Sequence, residues 1–230
     1  METEKEFSEL IREDLLIWFC RHHGYPTDGF DSDTLRRVSE HDAKWFLDAL
    51  TTEAVVRDGA VVTTKLSAAK EQIVWPDGRS ISPRPLTIWA EPVIAIEAAC
   101  WLHTEFGWPK QLIGLQSHER AAFDLIAYDA PRTPRVAAEV KKTDQEIDLL
   151  IEAMAGYLSH PPLDEEPKHD EQRNAYRKVV ALRRIRTPLL WALGPNGYGQ
   201  LFRVEQAGEQ GIARLEKAAI EELLYRKGET

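Results

Sequence analysis

The sequence predicts an α/β fold, a mixed central sheet flanked by helices, with a mainly helical N-terminal extension. Three observations carry this. Residues 91–204 read as a helix, three short strands, a helix and further strands, and another helix closes the chain, an alternation typical of α/β domains. The strand-like runs are bounded by turn residues. Residues 1–60 repeat apolar side chains at steps of three and four. The chain divides on this reading into an N-terminal helical and hairpin region, residues 1–85, serving as a partner or recognition element, and an α/β domain, residues 86–230.

Its 230 residues, 43% hydrophobic and 29% charged, suffice for a real core and exclude global disorder. The net charge of −9 excludes a generic polycation but leaves room for local basic surfaces. Charges interrupt every apolar run before it reaches the roughly 18 residues of a membrane span. The acidic start METEKEFSEL lacks an apolar leader core, and Cys20 and Cys100 make no disulfide framework. These features predict a cytoplasmic protein with no membrane partner.

Phe7, Leu10, Ile11, Leu15, Trp18 and Phe19 predict an amphipathic helix from Thr3 to Phe19, ended by Gly24 and Pro26. Ser32 and Asp33 are cap candidates for the next helix, and Trp45, Phe46 and Leu50 mark a helix over 41–50. Asp58-Gly59 and Asp77-Gly78 predict two turns, the first within a hairpin. EPVIAIEAACWLHTEF is apolar nearly all round, so it reads as a buried helix stopped by Gly107 and Pro109. QLIGLQ, AAFDLIAYD and RVAAEV read as strands, the last two joined as a hairpin through APRTP. TDQEIDLLIEAMAGYL predicts a helix capped by Thr143 or Asp144. HPPLDEEPKHDEQ reads as an exposed acidic loop. YRKVVALRRIR, TPLLWALG and GQLFRV read as strands, with Asn196-Gly197 turning between the last two, and IARLEKAAIEELLYRK as the closing helix.

The chemistry concentrates at Asp124, Glu139 and Lys141. Asp124 is embedded in the apolar run Phe123–Tyr128, and alternation along VAAEVKK puts Glu139 and Lys141 on one strand face. Pairing of the two strands would bring Asp124 next to Glu139. Two carboxylates that close repel, and they need a divalent cation, a shared proton or the nearby lysine. Carboxylates and a backbone carbonyl such as that of Val140 are the hard oxygen donors Mg²⁺ prefers, with Mn²⁺ a natural substitute. Taken alone, Glu-x-Lys is a common tripeptide on solvated strands; its position after Asp124 and between two helices is what gives it weight.

The run from the 91–106 helix through ERAAFDLIAYD to RVAAEVKK resembles the PD-(D/E)xK, or restriction endonuclease-like, nuclease superfamily. It is most similar to the N-terminal nuclease domain of type I restriction enzyme motor subunits. The matching residues are Gly107-Trp108-Pro109, Arg120, Asp124, and Glu139 with Lys141; TPLLWALGPNGYGQLFRV resembles the family's closing strand pair. The resemblance covers about residues 91–204. It implies a Mg²⁺-dependent DNA endonuclease of bacterial restriction or anti-phage defence. Asp124 and Glu139 would be metal ligands, and Lys141 would orient the attacking water and stabilise charge on the phosphate. A helix acid often completes such a site: Glu97 is the first choice, as a carboxylate costly to bury alone among Ile96, Ala98 and Ala99, and Glu91 is its competitor. Where many relatives carry a glutamine four residues before Tyr157, this chain has Ala153. Gln145 on the same helix is either a substitute for it or a solvated side chain.

No P-loop is present, so any ATPase or helicase activity would belong to a separate chain. The basic run with Arg177, Lys178, Arg183 and Arg184 reads either as a phosphate-binding strip, joined by Arg120 and Lys142, or as a strand face paired with the acidic loop. His118 is a minor candidate base. A homo-oligomer is expected. Competing readings are a non-catalytic nuclease-fold subunit that binds nucleic acid or assembles a defence complex, and an oligomerisation or partner-binding module built on the N-terminal helices.

Overall fold

The chain enters as one helical rod. Helix α1 (Glu2–Glu9) runs through a π-helical turn at Leu10–Leu15 into α2 (Leu16–His23), burying Phe7, Ile11, Leu15, Leu16 and Phe19 on one side. Gly24, at φ +69°, closes it in the left-handed conformation that glycine adopts without a Cβ clash. This computed structural model describes residues 2–78, 81–117, 122–129, 133–207 and 212–227. Asp31, rather than Ser32 or Asp33, caps the short 3-10 turn at Ser32–Arg37 by accepting from the Asp33 N–H. Helix α3 (Glu40–Thr51) begins with a full capping box: Ser39 Oγ accepts from the Asp42 N–H at 3.1 Å, and Asp42 Oδ2 from the Ser39 N–H at 3.3 Å.

The sequence between α3 and residue 90 forms short antiparallel pieces. Strands β1 (Val56–Asp58), β2 (Val61–Thr63) and β3 (Glu71–Gln72) make one small sheet, and the β1–β2 hairpin turns where Asp58-Gly59 predicts. Strands β4 (Val74–Pro76) and β5 (Leu86–Ile88) make a second. Helix α4 (Ala90–Thr104) follows, buried around most of its circumference as its composition predicts, and it packs extensively on α3.

The central sheet has six strands: β6 (Ile113–Leu115), β7 (Leu125–Asp129), β8 (Thr133–Val140), β9 (Leu189–Leu193), β10 (Gly199–Ala207) and β11 (Ile212–Lys217). Their order in space is β11-β10-β9-β8-β7-β6. All neighbours are antiparallel except β8 and β9, whose parallel pairing requires a crossover. Helices α5 (Asp144–Leu158) and α6 (Asp170–Ile185) supply it. Strand alternation separates two apolar layers. Leu125, Ala127, Val136, Ala138, Val140, Leu189 and Trp191 face α1–α4, with Cys20 and Cys100 buried in the same layer. Ile126, Ala137, Leu190 and Phe202 face α5 and α6. The first layer runs from Phe7 to Leu223 without interruption at residue 85, and β4 and β5 pair across that boundary.

Two sequence expectations need correcting. The run 176–186 is not a strand but the second half of α6. Ala175, Tyr176, Val179 and Leu182 are buried at helical spacing, and Asp170 and Glu171, assigned to the acidic loop, form the helix's favourable acidic first turn. The last segment is not a helix: β11 takes Ile212–Lys217 and only a 3-10 turn follows, at Ile220–Leu223. Pairing with β10, including the Arg214–Glu205 ion pair at 3.0 Å, overrides the local helix pattern. The Trp108 indole N–H donates to the Leu223 carbonyl at 2.6 Å, fixing the turn to the core.

Candidate metal and phosphodiester site

The β7–β8 register builds the site. Leu125 pairs with Ala138, so the next step of the ladder sets Asp124 opposite Glu139, and the Asp124 N–H donates to the Ala138 carbonyl at 3.0 Å. Alternation turns Glu139 to the face covered by α5 and α6, opposite to Ala138 and Val140. Asp124 Oδ2 accepts from the Val140 N–H at 2.8 Å. Lys141 Nζ donates to Glu139 Oε1 at 2.5 Å and to the Val140 carbonyl at 2.8 Å. The sequence-predicted trio is thus brought together at the C-terminal end of β8.

A second lysine, not foreseen as part of the site, completes it. Lys178 of α6 donates to Glu139 Oε2 at 2.5 Å and to the Ala122 carbonyl at 2.7 Å, and it is buried along with Glu139. Its signal in the sequence is visible once the segment is a helix: Lys178 sits beside Val179 and four residues before Leu182, on the inward face. The expectation that Lys178 binds nucleic acid is therefore corrected, because its ammonium is committed to a buried carboxylate.

Charge bookkeeping explains the protonation of the cluster. Burial and the adjacent Glu139 push the Asp124 carboxyl up to about 8, against the weaker pull of Lys178, the Val140 N–H and Lys141. Burial opposes the Lys141 ammonium, but Glu139, Asp124 and Glu91 outweigh it and hold its pKa above the ordinary lysine value. Burial, with Glu139 and Glu146, raises Glu91, while Lys141 and Lys142 oppose the rise. Three carboxyls thus face two lysines, which leaves a surplus negative charge that a proton or a cation must neutralise. The Lys141 ammonium already lies where Glu139 Oε1 and the Val140 carbonyl converge on positive charge. This oxygen-rich donor set fits a hard divalent ion. Among the described residues, no group of three His, Cys, Asp or Glu side chains is close enough to ligate one ion by themselves.

The helix acid near this cluster is Glu91, not Glu97. Glu97 lies six residues further along α4, about 9 Å up the axis. It is buried beside Asp42, with His41 Nε2 3.1 Å from its Oε1, and burial and Asp42 push it up to about 9. Its burial is eased by a proton and by this separate cluster, with Oε2 left without a hydrogen-bond partner among the described residues, and not by the Asp124–Glu139 cluster. Arg120 and His118 lie outside the described residues.

The basic run does not form one strip. Arg177 forks onto Glu166 of the acidic loop, with Nη2–Oε2 at 2.8 Å, which matches the loop-pairing reading. Arg183 Nη2 donates to the carbonyls of Tyr157, Leu158 and His160, satisfying the C-terminal end of α5. Arg184 is exposed, Ala153 packs against the α5–α6 layer, and Gln145 is exposed. Lys142 is exposed next to the site and pairs with Glu146 at 3.4 Å. Comparison with known protein families, with curated proteins and with solved structures gives no match.

Proposed function

We propose that the chain is a metal-dependent phosphodiesterase acting on DNA, of the kind used in bacterial restriction or anti-phage defence. The observation that carries this is the convergence of Asp124, Glu139 and the Val140 carbonyl beside the Lys141 ammonium at one strand end. Asp124, Glu139 and the Val140 carbonyl would hold Mg²⁺ or Mn²⁺, with Glu91 adding its charge from α4 rather than a third direct carboxylate ligand. When bound, the ion supplies Lewis-acid polarisation of the phosphate and a water of lowered pKa. Lys141 uses two of its three N–H bonds on Glu139 and Val140, leaving one to orient water or meet charge on the phosphate oxygens. Lys178 positions Glu139 by fixing its second oxygen.

Purified protein with Mg²⁺ or Mn²⁺ is expected to nick supercoiled plasmid. Lys141→Ala should abolish nicking while its circular dichroism spectrum matches wild type. Cleavage that persists in both Asp124→Asn and Lys141→Ala removes this reading.

A second reading is favoured by one observation: both Glu139 oxygens are already satisfied by lysines, so the site is closed without a metal. A non-catalytic nuclease-fold subunit would then bind nucleic acid or assemble a defence complex. Calorimetry separates the two, since only the first requires Mn²⁺ binding that depends on Asp124 and Glu139.

A further inference from the structure

Glu91 belongs both to the carboxylate cluster and to an adjoining cleft of about 480 Å³, whose wall also includes Arg37, Trp89, Lys142 and Thr143. That volume is within the range of ligand pockets. Trp89 is the residue of interest. Trp108 and Trp191 are buried in the core at 2% and 0% exposure, whereas Trp89 is 44% exposed. Its ring stacks on Trp75 with centroids 4.6 Å apart and planes within 16°. Trp75 is in turn held by its indole N–H, which donates to the Gln72 carbonyl at 2.8 Å, and by the pairing of β4 with β5. Trp89 itself sits in extended conformation at the start of α4. The pair is therefore a rigid aromatic step, supported on one side and open towards the cleft.

In a chain of net charge −9, two cations, Arg37 and Lys142, line this cleft beside Glu91, whose carboxyl burial shifts towards its neutral form. Arg37 is exposed and has no hydrogen-bond or ion-pair partner among the described residues. Lys142 has only its exposed pair with Glu146, which a phosphate could displace at little cost. An open indole face flanked by such cations matches a π-faced ligand carrying negative charge. In duplex DNA the base faces are covered by their neighbours, so a base that fits must be unpaired or flipped out.

We propose that Trp89 is a stacking platform for an unpaired base of the DNA strand delivered to the Asp124–Glu139 site, with Arg37 and Lys142 contacting flanking phosphates. This rests on the phosphodiesterase reading for its substrate, yet it is tested by binding alone. Fluorescence anisotropy of a labelled single-stranded oligonucleotide, in EDTA and in Ca²⁺, is measured for the full chain and its variants. Trp89→Ala is expected to weaken binding roughly 5- to 150-fold, the span for loss of one stacked base. Trp89→Phe should retain most of the affinity, which excludes a folding artefact. Arg37→Ala should lower the slope of log affinity against log salt by about 0.7, one single-strand phosphate contact. Trp89→Ala binding within twofold of wild type overturns the proposal, as does absence of binding, or a blunt duplex binding as tightly as the single strand. Trp89-dependent binding without cleavage leaves the platform standing and removes the nuclease reading. Cleavage indifferent to Trp89→Ala does the reverse.

Discussion

Glu139 is almost fully enclosed, and its charge is tolerable because Lys141 and Lys178 each take one oxygen. Removing one partner of such a pair leaves a buried charge uncompensated, at a cost of about 3–5 kcal/mol. Lys178→Met is therefore expected to destabilise the protein by about 3 kcal/mol in urea unfolding, and Glu139→Gln in the same chain should recover much of that loss. Asp124 gives a pH prediction. Its folded pKa of about 8 lies above the ordinary 3.8, so between these values the native state holds a proton that the unfolded chain has released. Stability should then fall as pH rises from about 4 to about 8. Glu97, raised to about 9, acts in the same direction. In EDTA the Asp124→Asn variant should show a shallower decline in urea midpoint than wild type. Under the metal-dependent reading, Mn²⁺ favours the ionised carboxylate and should flatten the wild-type curve, whereas under the non-catalytic reading it should leave the curve unchanged.

At the level of elements, α6 distinguishes what sequence can reveal from what it cannot. Val179 and Val180 invite a strand reading, yet Val179 is buried and Val180 is 42% exposed, as a helix demands alongside inward-facing Lys178 and Leu182. Val179→Ala is expected to cost about 2 kcal/mol in thermal or urea unfolding, and Val180→Lys less than about 0.5. The β7–β8 hairpin, the buried α4 and the Thr143-capped α5 are all legible, because each rests on a local signal: strand-like runs around a turn-rich link, a run apolar all round, and an amphipathic helix with its cap. What failed depended on distant partners. The β11 strand exists because β10 is there to pair with it. Glu91 replaces Glu97 because helix phase and strand register together decide which acid reaches Glu139. The turn at Asn196-Gly197 was also legible, with both residues at positive φ. Gly197→Ala should cost about 1–2 kcal/mol from the left-handed backbone alone, and a Cβ would lie 2.8 Å from His41 Nε2.

Considered whole, the molecule joins its N-terminal helices and its central sheet through one apolar layer. Composition offered a natural break near residue 85, but α3 packs on α4, and Asp42 of α3 accepts from the Asn196 N–H at 2.6 Å beyond β9. A chain lacking residues 1–85 is therefore expected to expose Val93, Ile94 and neighbouring side chains and to fail to fold cooperatively. Dye binding and a broadened thermal transition would show this; a sharp transition with native-like near-ultraviolet dichroism would count against it. The two thiols give the same layer a built-in reporter. Cys20 and Cys100 sit on its α2 and α4 sides, both covered and both shifted upward by burial, so alkylating reagents can reach them only when that layer opens. Labelling rates would then time the breathing of one side of the sheet while remaining blind to the α5–α6 side.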